Sequence, residues 1–326
     1  MSDKNKQQYA VAWSRRNEIL SNTSSGGVFF VLANYIISQG GWVFGTEFSR
    51  ETLAQVNGYQ DENIKRFSGS KYVKSKLGNS FPRIKGILEE GKPVLFGGTP
   101  CQCGALRKYL GKEYEGLYLV DIICHGSPRT DVFEAYLKYV EKKYGSAVVD
   151  IKFRNKDKGW KNGQIEICFA DGKIMKEFFH PKVNKYANVF YSNIALTPGC
   201  GECKYNNMER TGGITLGDFW GYKSHSNVTI NENGTSVLLL NTPKATELIR
   251  KCEDQMELTY VSKEVAMSNN PPLYEHTSIN PLSGIFHKTM KRFGFGFAYL
   301  LCLQILKVLI LPYRAVKKIY KKIRKL

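Results

Sequence analysis

Apolar residues are arranged along the chain in two ways. Short unbroken runs that end at Gly, Thr or Pro, "KPVLFGGTP" (92–100) and "LYLVDIICHGSP" (117–128), predict buried strands. "GWVFGTEF" (41–48) predicts another strand, and residues 8–20 a strand and turn. Between these, "SNTSSGGVFFVLANYIISQGG" (21–41), "CGALRKYL" (103–110) and "TDVFEAYLKYVEKKYG" (130–145) carry helical patterns. Strand, loop and helix alternate, so the first half predicts an α/β core with a partly parallel sheet.

The pattern changes after Ser146. "VVDIKFRNK", "QIEICFADGKIMKEFF" and "GITLGDFWGY" predict strands and a hairpin, with the turn at "ADG". No repeat or low-complexity linker interrupts the chain. The expected organisation is an α/β core over 1–146, a tightly packed α+β part over 147–285, and a basic, apolar helical tail over 286–326.

Composition adds two constraints. At 326 residues and 42% hydrophobic, the chain can bury a full core. The net charge of +18 is concentrated at one end: from His276 to Leu326 there is no Asp or Glu, and eleven Lys or Arg. The apolar tail contains Gln304, Lys307, Arg314 and Lys318 near helical spacing, with Val316, Ile319, Tyr320 and Ile323 opposite. A lysine at the centre of a membrane span costs about 2.5–3.5 kcal/mol, and Pro312 bends a helix. The tail is therefore expected to lie on an anionic membrane surface, the alternative being a C-terminal helix docked on the body with a solvated basic end. Aromatic residues are not interleaved with the basic run, which argues against nucleic acid.

The N-terminus "MSDKNKQQYAVAWSRRNEIL" lacks the apolar stretch of a secretory signal, so a cytoplasmic location is expected, peripheral on the inner membrane face. Structural disulfides are rare there, and the eight cysteines are read as ligands, redox groups or core residues. Cys200 and Cys203 form a C-x-x-C in the Gly/Pro loop "TPGCGECKYNN" (197–207). Cys101 and Cys124 each follow an apolar strand-like run, and parallel strands bring such loops to one edge. These four can complete a tetrathiolate site for zinc or iron–sulfur, while a redox dithiol remains open. Cys103 rivals Cys101. Cys168, Cys252 and Cys302 read as core, and His125 as a ligand, an acid/base or a hydrogen-bonded loop residue.

Two loops suit a phosphate. "SSGG" (Ser24, Ser25, Gly26, Gly27) precedes an apolar helix, and "SGSKYVKS" adds Gly69, Ser70, Lys71 and Lys74. A plain helix cap and a solvated loop are the competing readings. In "ITLGDFWGY" (214–222), glycines bracket Asp218, Phe219 and Trp220, permitting close approach of a flat ligand or forming part of the core.

Seven stretches, "SSGGVFFVLA", "SGSKYVKS", "VLFGGTPCQCGALRKYL", "VDIICHGSP", "FRNKDKGW", "CGECKY" and "ITLGDFWG", occur in the order seen in the coenzyme F420 hydrogenase/dehydrogenase beta-subunit family. The resemblance runs from Tyr9 to Lys223. It implies an iron–sulfur flavoprotein oxidoreductase with a 4Fe-4S cluster and FAD, exchanging electrons with F420 or another, unknown redox substrate. It makes Cys101, Cys124, Cys200 and Cys203 the cluster ligands, and the segments Ser24–Gly27 and Gly69–Lys71, with Thr99 and Asp218, the cofactor contacts; His125 is the acid/base candidate. Relatives often carry a further ferredoxin-like segment, so an external ferredoxin or donor subunit is the expected partner. Gly213 stands where relatives often have an acidic residue. Bacterial relatives with the "GDFWG" form often lie among surface-polysaccharide genes, which points the expected role to surface-polysaccharide biosynthesis. A non-catalytic electron-transfer or assembly subunit, and a zinc-stabilised binding protein, are the alternatives.

Overall fold

A computed structural model describes residues 7–305. The fold is mixed α/β. Eight strands form one large sheet: β1 (Gln8–Ser14), β2 (Trp42–Ser49), β3 (Leu53–Tyr59), β4 (Val94–Gly98), β5 (Leu117–Ile122), β9 (Ile214–Asp218), β10 (Ser236–Leu240) and β11 (Met256–Tyr260). Their order is β11-β1-β10-β9-β5-β4-β2-β3. The inner four, β9, β5, β4 and β2, are parallel, and the flanking pairs are antiparallel.

Alternation within the strands explains the layering. Val43, Leu95, Val120, Leu238 and Leu240 face one side, under α2 (Val28–Ser38) and α7 (Pro243–Arg250). Phe44, Val94, Phe96 and Leu119 face the other, under α3 (Ser80–Glu89) and α4 (Pro100–Leu110). Val11, Val237 and Leu239 share a further cluster with Ala266 of α8 (Lys263–Met267). Helices on both faces are why β4 and β5 read as unbroken apolar runs. At the N-terminus, β1 is followed by a short helix, α1 (Asn17–Asn22).

A second, antiparallel sheet holds β6 (Val148–Asn155), β7 (Gln164–Phe169) and β8 (Ile174–Phe178) in that order. It packs with α5 (Thr130–Tyr144), α6 (Lys185–Tyr191) and α9 (Ser283–Tyr299) around a core that includes Phe133, Phe153, Tyr186 and Phe295. After this sheet the chain returns to the large one through β9, β10 and β11.

Beyond α9 the chain continues in a π-helical turn, Leu300–Ile305. Phe293, Phe297 and Leu300 are exposed on this final helical stretch. Residues 306–326, and with them the expected stripe of Lys307, Arg314 and Lys318, lie outside the described residues. Among the described residues no helix is long and apolar enough to cross a membrane.

Candidate functional site

The parallel strands deliver two cysteines to one edge of the sheet. β4 ends at Gly98, and Thr99 caps α4 through a reciprocal pair of bonds with Gln102. Pro100 occupies the first helical turn, where no N–H is needed. Cys101 is then exposed, with Thr99 Oγ1 3.1 Å from its Sγ. Cys103, two residues on, turns into the core: it is fully buried and its Sγ donates to the Val120 carbonyl at 3.7 Å. Burial pushes its thiol well above the usual range.

β5 ends at Ile122, which brings Cys124 to the same edge. Burial, then the nearby thiols of Cys101 and Cys200, push the Cys124 thiol up to about 12; the Gly126 N–H opposes the shift and the Cys203 thiol adds to it. Cys101 and Cys124 thus follow neighbouring parallel strands, β4 and β5. Gly126 has φ 143°, and a Cβ there would meet Leu196 at 2.8 Å, so glycine is required for the chain to turn between Cys124 and Ser127. The Ser127 N–H donates to Cys200 Sγ at 3.3 Å, and Thr197 Oγ1 lies 3.0 Å from the same sulfur. Among the described residues no three Cys, His, Asp or Glu side chains are grouped closely enough to hold one metal ion. Thiolates of a four-iron cubane each bind a different iron and stand farther apart than ligands of a single ion. The thiols and their N–H and hydroxyl donors suit a cluster of that kind.

The loop bearing Cys200 and Cys203 is anchored by a pair that no sequence motif announced. Arg210 donates to Asp121 Oδ1 at 2.8 Å, and both side chains are buried. The same guanidinium donates to the carbonyls of Tyr205, Asn207 and Ile122, and Asp121 also accepts from the Gly212 N–H. These bonds fasten the loop to the end of β5.

A cleft of about 1000 Å³ opens where α1, α2 and residues 61–71 meet β6. Gly69, Ser70 and Lys71 line it. Ser24 is joined to this wall, because the Ser70 N–H donates to Ser24 Oγ at 2.7 Å. The rest of the Ser24–Gly27 loop turns inward. Ser25 donates to the Thr235 carbonyl at 2.9 Å, and the Gly26 N–H to Ser236 Oγ at 3.0 Å. A Cβ on Gly26 would lie 2.4 Å from the Ala12 carbonyl oxygen, so this glycine serves close packing against β1. Gly27, at φ 77°, starts α2.

Asp218 ends β9 and lies beside the cleft wall. Trp160 Nε1 donates to its Oδ1 at 2.8 Å, and Arg154 NH1 is 3.6 Å from its Oδ2. The motifs "FRNKDKGW" and "GDFWG" thus close on each other. His125 bonds through Nε2 to Asn193 Oδ1 at 2.7 Å. Its ring packs 5.2 Å from Phe190, which lies 5.0 Å from Tyr72, the neighbour of Lys71. Tyr72, Phe190 and His125 form a run of ring contacts between the neighbour of Lys71 and the neighbour of Cys124.

A family model for the C terminus of the coenzyme F420 hydrogenase/dehydrogenase beta subunit matches residues 91–265, more than half of the chain. The protein belongs to the coenzyme F420 hydrogenase/dehydrogenase beta-subunit family. Its fold is similar to that of a chain in the xenon-derivatised F420-reducing NiFe hydrogenase complex from Methanosarcina barkeri. The TM-score is 0.54 at 15% identity, covering 90% of this chain and 96% of that one. No curated protein matches the chain.

Within this F420 beta-subunit-like protein, Gly213 lies apart from the cleft. It lines a separate hollow of about 120 Å³ with Thr242 and Lys244. A Cβ there would face Thr242 Oγ1 at 3.3 Å. The remaining cysteines are dispersed: Cys252 and Cys302 are buried, and Cys168 is half-buried on β7.

Proposed function

We propose that this family member is an iron–sulfur flavoprotein oxidoreductase. What supports the reading is the adjacency of β4 and β5, which lead to Cys101 and Cys124, with the Ser127 N–H donating to Cys200 Sγ, near a cleft large enough for a dinucleotide. When bound, FAD supplies hydride chemistry and a 4Fe-4S cluster supplies one-electron chemistry. The four thiolates would hold the cluster, with the Ser127 N–H and the Thr197 and Thr99 hydroxyls beside the sulfurs. Gly69, Ser70 and Lys71, with Ser24 behind them, would form one wall of the flavin site, and Asp218 would orient Arg154 toward it. His125, fixed by Asn193, is the candidate for holding a proton between the two centres.

An external ferredoxin or donor subunit would deliver electrons to the exposed Cys101 side. The chain would work in the cytoplasm, with its basic, apolar tail on the inner membrane face and its substrate in surface-polysaccharide biosynthesis. The test is anaerobic purification of the full chain, with assay of iron, acid-labile sulfide, flavin and zinc. Iron and sulfide in equal amounts together with FAD support the reading. Zinc without flavin, or a chain that stays colourless after cluster reconstitution, would sink it.

A further inference from the structure

The rim and the floor of the cleft differ in charge balance. At the rim each cation has a carboxylate: Arg16 pairs with Glu18, Lys65 with Glu62, Arg66 with Glu47, and Lys152 with Glu166. Deeper in, Lys71, Arg154 and Lys156 line the same cleft with far less compensation. Lys71 donates to the carbonyls of Ser68 and Arg66, at 2.7 and 3.3 Å. Lys156 donates to the carbonyls of Ser25 and Asn233, at 3.2 and 2.5 Å. Among the described residues Arg154 meets Asp218 at 3.6 Å, the Trp160 carbonyl at 3.2 Å, the Tyr72 hydroxyl at 3.5 Å and the Trp220 ring centre at 5.7 Å. Its side chain is 8% exposed, and its Nε is buried with no hydrogen-bond partner among the described residues.

A buried cation without a counter-charge is costly, and a buried N–H without an acceptor costs a further desolvation penalty. Among the described residues Lys71 and Lys156 form no ion pair: Glu47 and Asp150 act on Lys71, and Asp218 on Lys156, from beyond pairing distance, while Arg154 keeps an unused donor. Burial lowers the Lys71 ammonium to about 7 and that of Lys156 to about 8, a direction that binding an anion reverses. The Ser24–Gly27 loop, which the sequence offers as a phosphate cradle, already commits its Ser25 hydroxyl and Gly26 N–H to β10 and the residue before it.

We infer that Lys71, Arg154 and Lys156 form an anion-binding centre on the floor of the cleft that takes a diphosphate group. Arg154 offers a planar fork and the two lysines mobile point charges, a combination that matches adjoining phosphates. The group belongs either to the flavin dinucleotide or to a second, diphosphate-bearing ligand beside it. The inference deepens the cofactor reading of the cleft, and its test separates the two.

The experiment is calorimetric titration of the full chain with inorganic pyrophosphate, and separately with FAD and riboflavin. It uses wild type, Arg154→Lys, Lys156→Gln and, as a charge control, Lys92→Gln on the surface. Pyrophosphate is expected to bind wild type and the control alike. Each cleft variant should bind about tenfold more weakly or worse, the scale of one charge-assisted hydrogen bond. Binding at pH 8 should take up protons, seen as a dependence of the heat on buffer ionisation, because the anion recharges the lysines. If FAD weakens in parallel while riboflavin does not, the diphosphate is the flavin's own. If FAD is unaffected and pyrophosphate still binds the FAD-loaded chain, a second ligand supplies it. Pyrophosphate that fails to bind, or binds all four proteins equally, overturns the inference. Failure of FAD and riboflavin to bind, with pyrophosphate still sensitive to Arg154 and Lys156, overturns the flavin reading alone.

Discussion

Trp160 Nε1 donates to Asp218 Oδ1 at 2.8 Å, across 58 residues of sequence, and the Trp160 ring stacks on Trp220 at 5.3 Å and 7°. One side chain thereby joins the turn after β6 to the end of β9, and so ties the small sheet to the large one. Trp160→Phe keeps an aromatic ring and deletes the donor. It should lower stability by about 1.5–3 kcal/mol, the worth of a hydrogen bond to a charged group. Urea unfolding measures this, and an unchanged midpoint would mean that the bond does not hold the two sheets together.

The Arg210–Asp121 pair should matter twice. Arg210→Ala leaves a buried carboxylate uncompensated, at about 3–5 kcal/mol. It also frees the loop that carries Cys200 and Cys203, so less iron should be retained per folded chain than in Arg210→Lys. Equal iron content in the two variants would limit Arg210 to a structural role.

Cys101→Ser and Cys103→Ala make a discriminating pair. The exposed Cys101 beside Thr99 is expected to be needed for iron retention. Cys103 packs in the core, and its truncation should affect thermal stability with iron and sulfide unchanged. The reverse pattern in metal analysis would exchange their roles.

The unliganded chain should gain stability as pH rises from 7 toward 10.5. Burial lowers the Lys71 ammonium from an ordinary value of 10.5 to about 7 in the folded chain. Over this window the unfolded state therefore binds the extra proton, and it loses ground as protons are withdrawn. The slope is on the order of 1 kcal/mol per pH unit. Cys124 acts oppositely above pH 9, where the unfolded thiol ionises first. Chemical denaturation at pH 7, 8 and 9 should show the rise in wild type and a flatter profile in Lys71→Met.

Vesicle flotation tests the proposed membrane contact. Phe293 and Phe297 are exposed with ring centres 5.2 Å apart, on a stretch that also carries Lys288, Lys291 and Arg292. Wild type should float with vesicles containing phosphatidylserine and not with neutral ones, and Phe293→Ser with Phe297→Ser should weaken this severalfold. Equal recovery with both vesicle types would contradict the electrostatic part of the proposal.

The parallel core was legible because β4 and β5 are covered on both faces and so leave unbroken apolar runs. The β7–β8 hairpin was legible from its alternation and the "ADG" turn. The return of β9–β11 to the first sheet was not, since strand partners two hundred residues apart leave no local signal. Cys101 and Cys103 could not be separated while the helix was started at Cys103; its start at Pro100 turns one outward and the other inward. The Ser24–Gly27 loop advertised free amides, yet Gly26 is small because β1 and β10 approach it. Arg210 carried no sequence signal, because an arginine's burial depends wholly on a distant carboxylate.

The placement of β1 also fixes an order of events at the ribosome. Gln8 pairs with Leu240, and Ala10 with both Leu238 and Tyr260. Among the described residues β1 therefore has no strand partner until β10 and β11 emerge, on the order of ten seconds or more later at ordinary elongation rates. In the interval, "QYAVAWS" is an orphan strand, exposed to aggregation and to chaperones. Nascent chains stalled short of β10 should accordingly be open to proteases at their N-terminus, and those extended past β11 should be closed.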